Sequence, residues 1–140
     1  MSKKTIFSIT FFINLIIFIL FNSIFEIRYE QVDDFILLSL YSGIDGIYNT
    51  NTIFFHPFLS FILSIFFKII PAINWHSIYL LATQFICFTA IGFTIIKNNQ
   101  SKNTVLVYST FASIFYSLLL FNLQYTSCSI LALSTFLLLV

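Results

Sequence analysis

Every side-chain carboxylate of the chain lies between residues 26 and 52: Glu26, Glu30, Asp33, Asp34 and Asp45, with Arg28 among them. Asp33 and Asp34 are the most informative. Adjacent residues at a helix start point about 100° apart, so one acid can face a cavity while the other caps or binds a cation. A carboxylate at a lipid–water boundary can act as general base toward an acceptor hydroxyl. The same pair could hold a divalent ion against a lipid-linked phosphate. The alternative is structural, because acids at a helix start cap its amides and complement its dipole. Spacing alone leaves these readings open.

Other candidates are weaker. Arg28 could clamp a phosphate or pair with Glu26 or Glu30. His56 could touch substrate from a loop or simply precede Pro57. Gln124-Tyr125-Thr126 is a polar interruption between two apolar runs. Trp75 and His76, at the mouth of an apolar stretch, are expected to anchor it at a membrane interface. Asn14 and Gln84 fall inside apolar runs, where polar groups hydrogen-bond to neighbouring helices. Lys68 is expected to snorkel. Cys87 and Cys128 have no CxxC spacing and read as two buried thiols. No nucleotide-binding glycine loop, His/Cys cluster or Ser-His-Asp arrangement appears.

The elements that must carry these residues are set by composition. Of 140 residues 59% are apolar, only 8% are charged, and 20 are Phe. A soluble domain carries roughly 25% charged residues, so this chain cannot clothe a globule, whereas lipid demands no such coat. The net charge of +1 and the scattered basic residues give no stripe to follow a phosphate backbone, which excludes nucleic acid as a partner.

The expectation is therefore an all-α membrane protein forming one domain over residues 1–140. Residues 5–25 would rise about 31 Å as a helix, matching the ~30 Å hydrocarbon core. They are too long for a signal core and lack a cleavage pattern, which predicts a retained anchor. Residues 26–76 read as an extracytoplasmic region with a short helix near 33–42, a turn at 43–46 and a juxtamembrane or re-entrant helix over 57–70. Residues 77–96 and 104–121 read as two further full spans. Residues 126–140 would rise only about 22 Å, so they read as a truncated final helix of a longer protein.

Charge orients this layout, since Lys and Arg accumulate on cytoplasmic loops. If residues 53–70 crossed, the basic residues would divide three against three. If they do not, Lys3, Lys4, Lys97 and Lys102 lie inside against Arg28 and Lys68 outside. The second arrangement, with Pro57 in a first helical turn and Lys68 before Pro71, is preferred. It places the N-terminus in the cytoplasm.

A basic N-terminus, one span, an acidic pair in the first external loop and a His-Pro-led juxtamembrane helix resemble the GT-C superfamily of multispanning glycosyltransferases. More narrowly, "VDDFILLSLYSGIDGIY", "FHPFLSFILSIFFKIIPAINW" and "FNLQYTSCSILAL" are similar to bacterial GtrII-type glucosyltransferases and their uncharacterised relatives. Where that family opens the juxtamembrane helix on a proline pair, this chain has His56-Pro57. The resemblance implies a bacterial plasma-membrane protein that transfers a sugar from a polyprenyl-phosphate donor to a cell-envelope glycan or lipid. It implies that Asp33 or Asp34 matches the catalytic acid, with Arg28 near the donor phosphate and the loop at Gln124 beside the same cavity. It also implies partners: the bilayer, the lipid-linked donor, and further helices or membrane subunits. Two alternatives stand beside it. One is a non-catalytic subunit or component of a polysaccharide transporter or flippase, which would need a polar lining along several spans. The other is a nonfunctional truncated product.

Overall fold

In a computed structural model of the chain, the structure describes residues 1–24, 32–44, 56–121 and 123–140, with the side chains of residues 32, 33, 41, 120 and 121 outside that description. These residues form six helices: α1 (Lys3–Ile24), α2 (Val32–Ser42), α3 (Pro57–Ile69), α4 (Trp75–Asn98), α5 (Lys102–Phe121) and α6 (Tyr125–Leu139).

Local signals start and stop them. Ser2 and Ser101 each accept a hydrogen bond from the backbone N–H three residues on, at Thr5 (3.2 Å) and Thr104 (3.1 Å), and so open α1 and α5. Asn74 does the same for Ser77 at 3.1 Å, which is why α4 begins at Trp75 rather than at residue 77. Pro57 occupies the first turn of α3, where its missing N–H costs nothing. Beyond α2, Gly43 has φ 69°, the left-handed conformation that closes a helix on glycine. α6 differs: its N-cap residue, Gln124, makes no side-chain cap.

The axis of the molecule is α4, against which α1, α3, α5 and α6 all pack, while α2 packs on α3. Ile6 and Ile17 of α1 meet Phe88, Ile91 and Ile96 of α4 and Tyr108, Ala112 and Tyr116 of α5 in the main core. A smaller cluster of Leu37, Leu63 and Phe67 joins α2 to α3. Leu80, Leu123 and Cys128 seal α4 against α6.

The closest approach falls at Gly92. A Cβ there would stand 2.3 Å from Tyr108 Cζ and 2.6 Å from Thr10 Cγ2. Only a residue without a side chain lets α1, α4 and α5 converge there. Beside it the Tyr108 hydroxyl donates toward Asn14 Oδ1 at 2.8 Å and the Phe88 carbonyl at 2.7 Å. It has one proton for two acceptors, so the bond is shared. Asn14 thus meets a neighbouring helix, while Thr10, Thr83, Thr89 and Thr94 each return their hydroxyl to the carbonyl four residues back.

The outer surface is apolar: Phe12, Ile16, Leu106, Val107, Leu133 and Leu137 are each at least half exposed. Among the described residues two helices, α1 and α4, are long and apolar enough to cross a membrane by length and composition. α3 has 13 residues and rises only about 20 Å. The N-terminal ammonium of Met1 bonds to Gln100 Oε1, which brings the start of α1 beside the link between α4 and α5. Lys3, Lys4, Lys97 and Lys102 therefore share one pole.

Candidate functional site: a buried acid–histidine pair

The opposite pole gathers the N-terminal ends of α2, α4 and α6, and Asp34 joins them. Asp34 lies in the first turn of α2 with its side chain wholly buried. Its Oδ1 stands 3.1 Å from Nε2 of His76, which is equally buried in the first turn of α4. The same oxygen accepts the backbone N–H of Tyr125, the first residue of α6, at 3.1 Å. Asp34 is thus the missing cap of α6, supplied from 91 residues away. A carboxylate on a helix N-terminus also meets the positive end of the dipole.

Because Oδ1 accepts from Tyr125, a carboxylate held from both sides requires His76 to donate through Nε2, either as that tautomer or as imidazolium. Oδ2 is buried and has no hydrogen-bond partner among the described residues. Buried polar atoms seldom go unpaired, and a catalytic role is one explanation of an exception; Gln84 Oε1 and the Tyr116 hydroxyl are unpartnered among the described residues as well. The arrangement leaves one oxygen anchored and the other able to take a proton.

The remaining candidates divide around this pair. Gln124, nearly buried, directly precedes Tyr125, and its Oε1 accepts from Ser127 at 3.2 Å. The structure therefore brings Asp34 and Gln124 to one place. His56 is exposed and engaged elsewhere: its Nδ1 accepts the Phe58 N–H at 3.3 Å, capping α3. Arg28 and the side chain of Asp33 lie outside the described residues. For the divalent ion, the described residues contain no group of three or more His, Cys, Asp or Glu able to hold one. Asp34 and His76, the described groups of this site, supply fewer ligands than the six or more that a magnesium or calcium ion takes.

The sequence missed His76. Expected as an interface anchor, it turns inward, and Trp75 takes the outer position: its ring stacks on Phe66 at 4.9 Å and its Nε1 donates to the Ile70 carbonyl at 3.0 Å. The signal was present in spacing from the helix start, since Asn74 at the cap fixes which residue of the first turn faces α2. The cap role of Asp34 was also anticipated only for its own helix, not for α6.

Fold and site together define an all-helical protein built on one central helix, with a buried acid–histidine pair where three helices begin. The chain matches no family model, no curated protein and no solved structure.

Proposed function

We propose that this chain acts in a bacterial plasma-membrane glycosyltransferase of the GT-C kind, on the extracytoplasmic face. In this reading Asp34 is the general base and His76 orients it. The observation that carries it is the half-engaged, fully buried carboxylate at the pole opposite the lysines. During transfer Oδ2 takes the proton of an acceptor hydroxyl as that oxygen attacks the sugar carbon. The bond from that carbon to the donor's phosphate oxygen breaks, and the polyprenyl phosphate leaves. His76 holds the carboxylate in place through Oδ1, leaving Oδ2 toward the acceptor. Arg28 and Gln124 are the proposed contacts of donor and acceptor.

Three properties support the membrane part: the exposed apolar surface, the two long apolar helices, and the four lysines gathered at one end. Basic residues collect on the cytoplasmic side, which puts Asp34 outside. With α1, α4 and α5 crossing, α3 lies along the boundary and α6 enters the bilayer.

The test is transfer from a polyprenyl-phosphate-linked sugar in membranes containing the protein. Asp34→Asn keeps an acceptor for His76 and Tyr125 but removes the base. Transfer should fall by about 10²–10⁴-fold while the thermal midpoint holds. Asp33→Asn in the same assay probes the neighbouring acid. Full turnover in both variants rejects the catalytic assignment.

The bond from Tyr125 to Oδ1 favours a second reading, in which Asp34 is a clamp in a non-catalytic membrane subunit. That reading expects no transfer by the wild-type protein, and Asp34→Asn then leaves partner assembly intact.

A further inference from the structure

The seam between α1 and α4 carries cavities in series. The first, of about 520 Å³, lies at the lysine pole and is lined by Lys3, Lys4, Phe7, Ser8 and Phe93. The second, of about 440 Å³, shares Phe7 and Phe93 with it and continues past Phe11, Phe85, Ala90 and Leu139. Phe7 and Phe93, their rings edge to face at 6.4 Å, form the wall common to both. A third, of about 530 Å³, shares Phe11 and Phe85 with the second and runs on toward Asn22 and Ile78. Aromatic pairs that meet across the seam, Phe7 with Phe93 and Phe11 with Phe85 at 5.4 Å, divide neighbouring sections, so the seam is a row of open hollows along α1, basic and hydroxylated at one end and apolar beyond. Each section lies within the ~300–1,000 Å³ of ordinary ligand sites.

Charge decides the occupant. Lys97 and Lys102 stand at the same pole, and every side-chain carboxylate of the chain lies within residues 26–45. Among the described residues none of the four lysines pairs with a carboxylate. An apolar seam that ends at two ammonium groups with no carboxylate partner among the described residues complements a molecule with hydrocarbon tails and an anionic head.

The geometry points to a binding site for an anionic phospholipid of the lysine-side leaflet. Lys3, Lys4 and Ser8 hold its phosphate, and its acyl chain lies over Phe7, Phe93, Phe11 and Ala90. This site is at the far end of the molecule from Asp34, and its ligand is a lipid of the bilayer itself rather than the sugar donor. It rests on the membrane placement proposed above but not on the glycosyl-transfer chemistry. Basic pockets between helices at the cytoplasmic surface commonly take such headgroups.

The experiment has two stages. Alkaline carbonate extraction of membranes containing the full chain comes first. Release into the soluble fraction removes the membrane reading and this site with it. With the protein retained, the purified chain in detergent is titrated with dioleoyl phosphatidylglycerol or dioleoyl phosphatidylcholine, and bound lipid is counted by native mass spectrometry. The wild type should retain the anionic lipid about tenfold more tightly. Lys3→Gln with Lys4→Gln, both exposed, should erase that preference, whereas Lys97→Gln with Lys102→Gln should leave most of it. Ala90→Phe, which fills the apolar section, should weaken both lipids alike. Equal retention of the two lipids by the wild type overturns the site. So does a preference that survives the Lys3/Lys4 pair of changes, or displacement by millimolar inorganic phosphate, which would mark a soluble phosphate as the ligand.

Discussion

Asp34 and His76 are worth more together than either alone. Both are fully buried, so removing one leaves the other polar and desolvated. His76→Ala leaves a buried carboxylate with only the Tyr125 N–H, and breaking such a pair costs on the order of 3–5 kcal/mol. The prediction is a large drop in the thermal midpoint for His76→Ala and for Asp34→Ala. The double variant should be clearly less damaged than the sum of the two, as a double-mutant cycle in detergent would measure. Strict additivity would mean that the 3.1 Å contact carries no coupling. Asn14 presents a milder case. Its Oδ1 shares one proton with the Phe88 carbonyl, so Asn14→Leu removes half of a shared bond. Such interhelical bonds average about 0.6 kcal/mol in membranes, and the midpoint should move only slightly.

Among the elements, α4 is the one whose substitution spreads furthest, because four other helices rest on it. Gly92→Ala would drive a methyl group into the Tyr108 ring, which is buried and tied at its hydroxyl. The expected loss is about 1–3 kcal/mol. Tyr108→Leu in the same chain should return part of it, readable as a partial recovery of the thermal midpoint. No recovery would mean that the Thr10 methyl, 2.6 Å from the new carbon, rather than the ring is the obstacle. Helix positions were largely legible in the sequence. Apolar runs with a cap residue at their head fall where α1, α3, α4 and α5 form, and the ends move by one or two residues with Asn74 and Ser101. The start of α6, expected at Thr126 and found at Tyr125, was legible to one residue, but its cap was not, since it comes from α2 and leaves no local mark. The acidic pair stood out as chemically pregnant, yet its partner did not. His76 looks like any residue beside an interfacial tryptophan until α2 is folded against α4.

At the scale of the molecule, the poles differ in sign and in content: lysines and a groove at one end, an acid and a histidine at the other. A cysteine placed at Asn99 should resist an impermeant thiol reagent in intact cells, while one at Asn49 should react. Labelling at both sites would mean that residues 53–70 cross the bilayer and would overturn the proposed layout. The cap on α6 carries a consequence for how the molecule is made. Asp34 leaves the ribosome 91 residues ahead of the amide it will hold. α1 and α5 can begin on their own serines, but α6 is completed only by a residue translated long before it. A later helix is therefore set in register by an earlier one, so this carboxylate works as an assembly gauge that a wrongly threaded chain could not close.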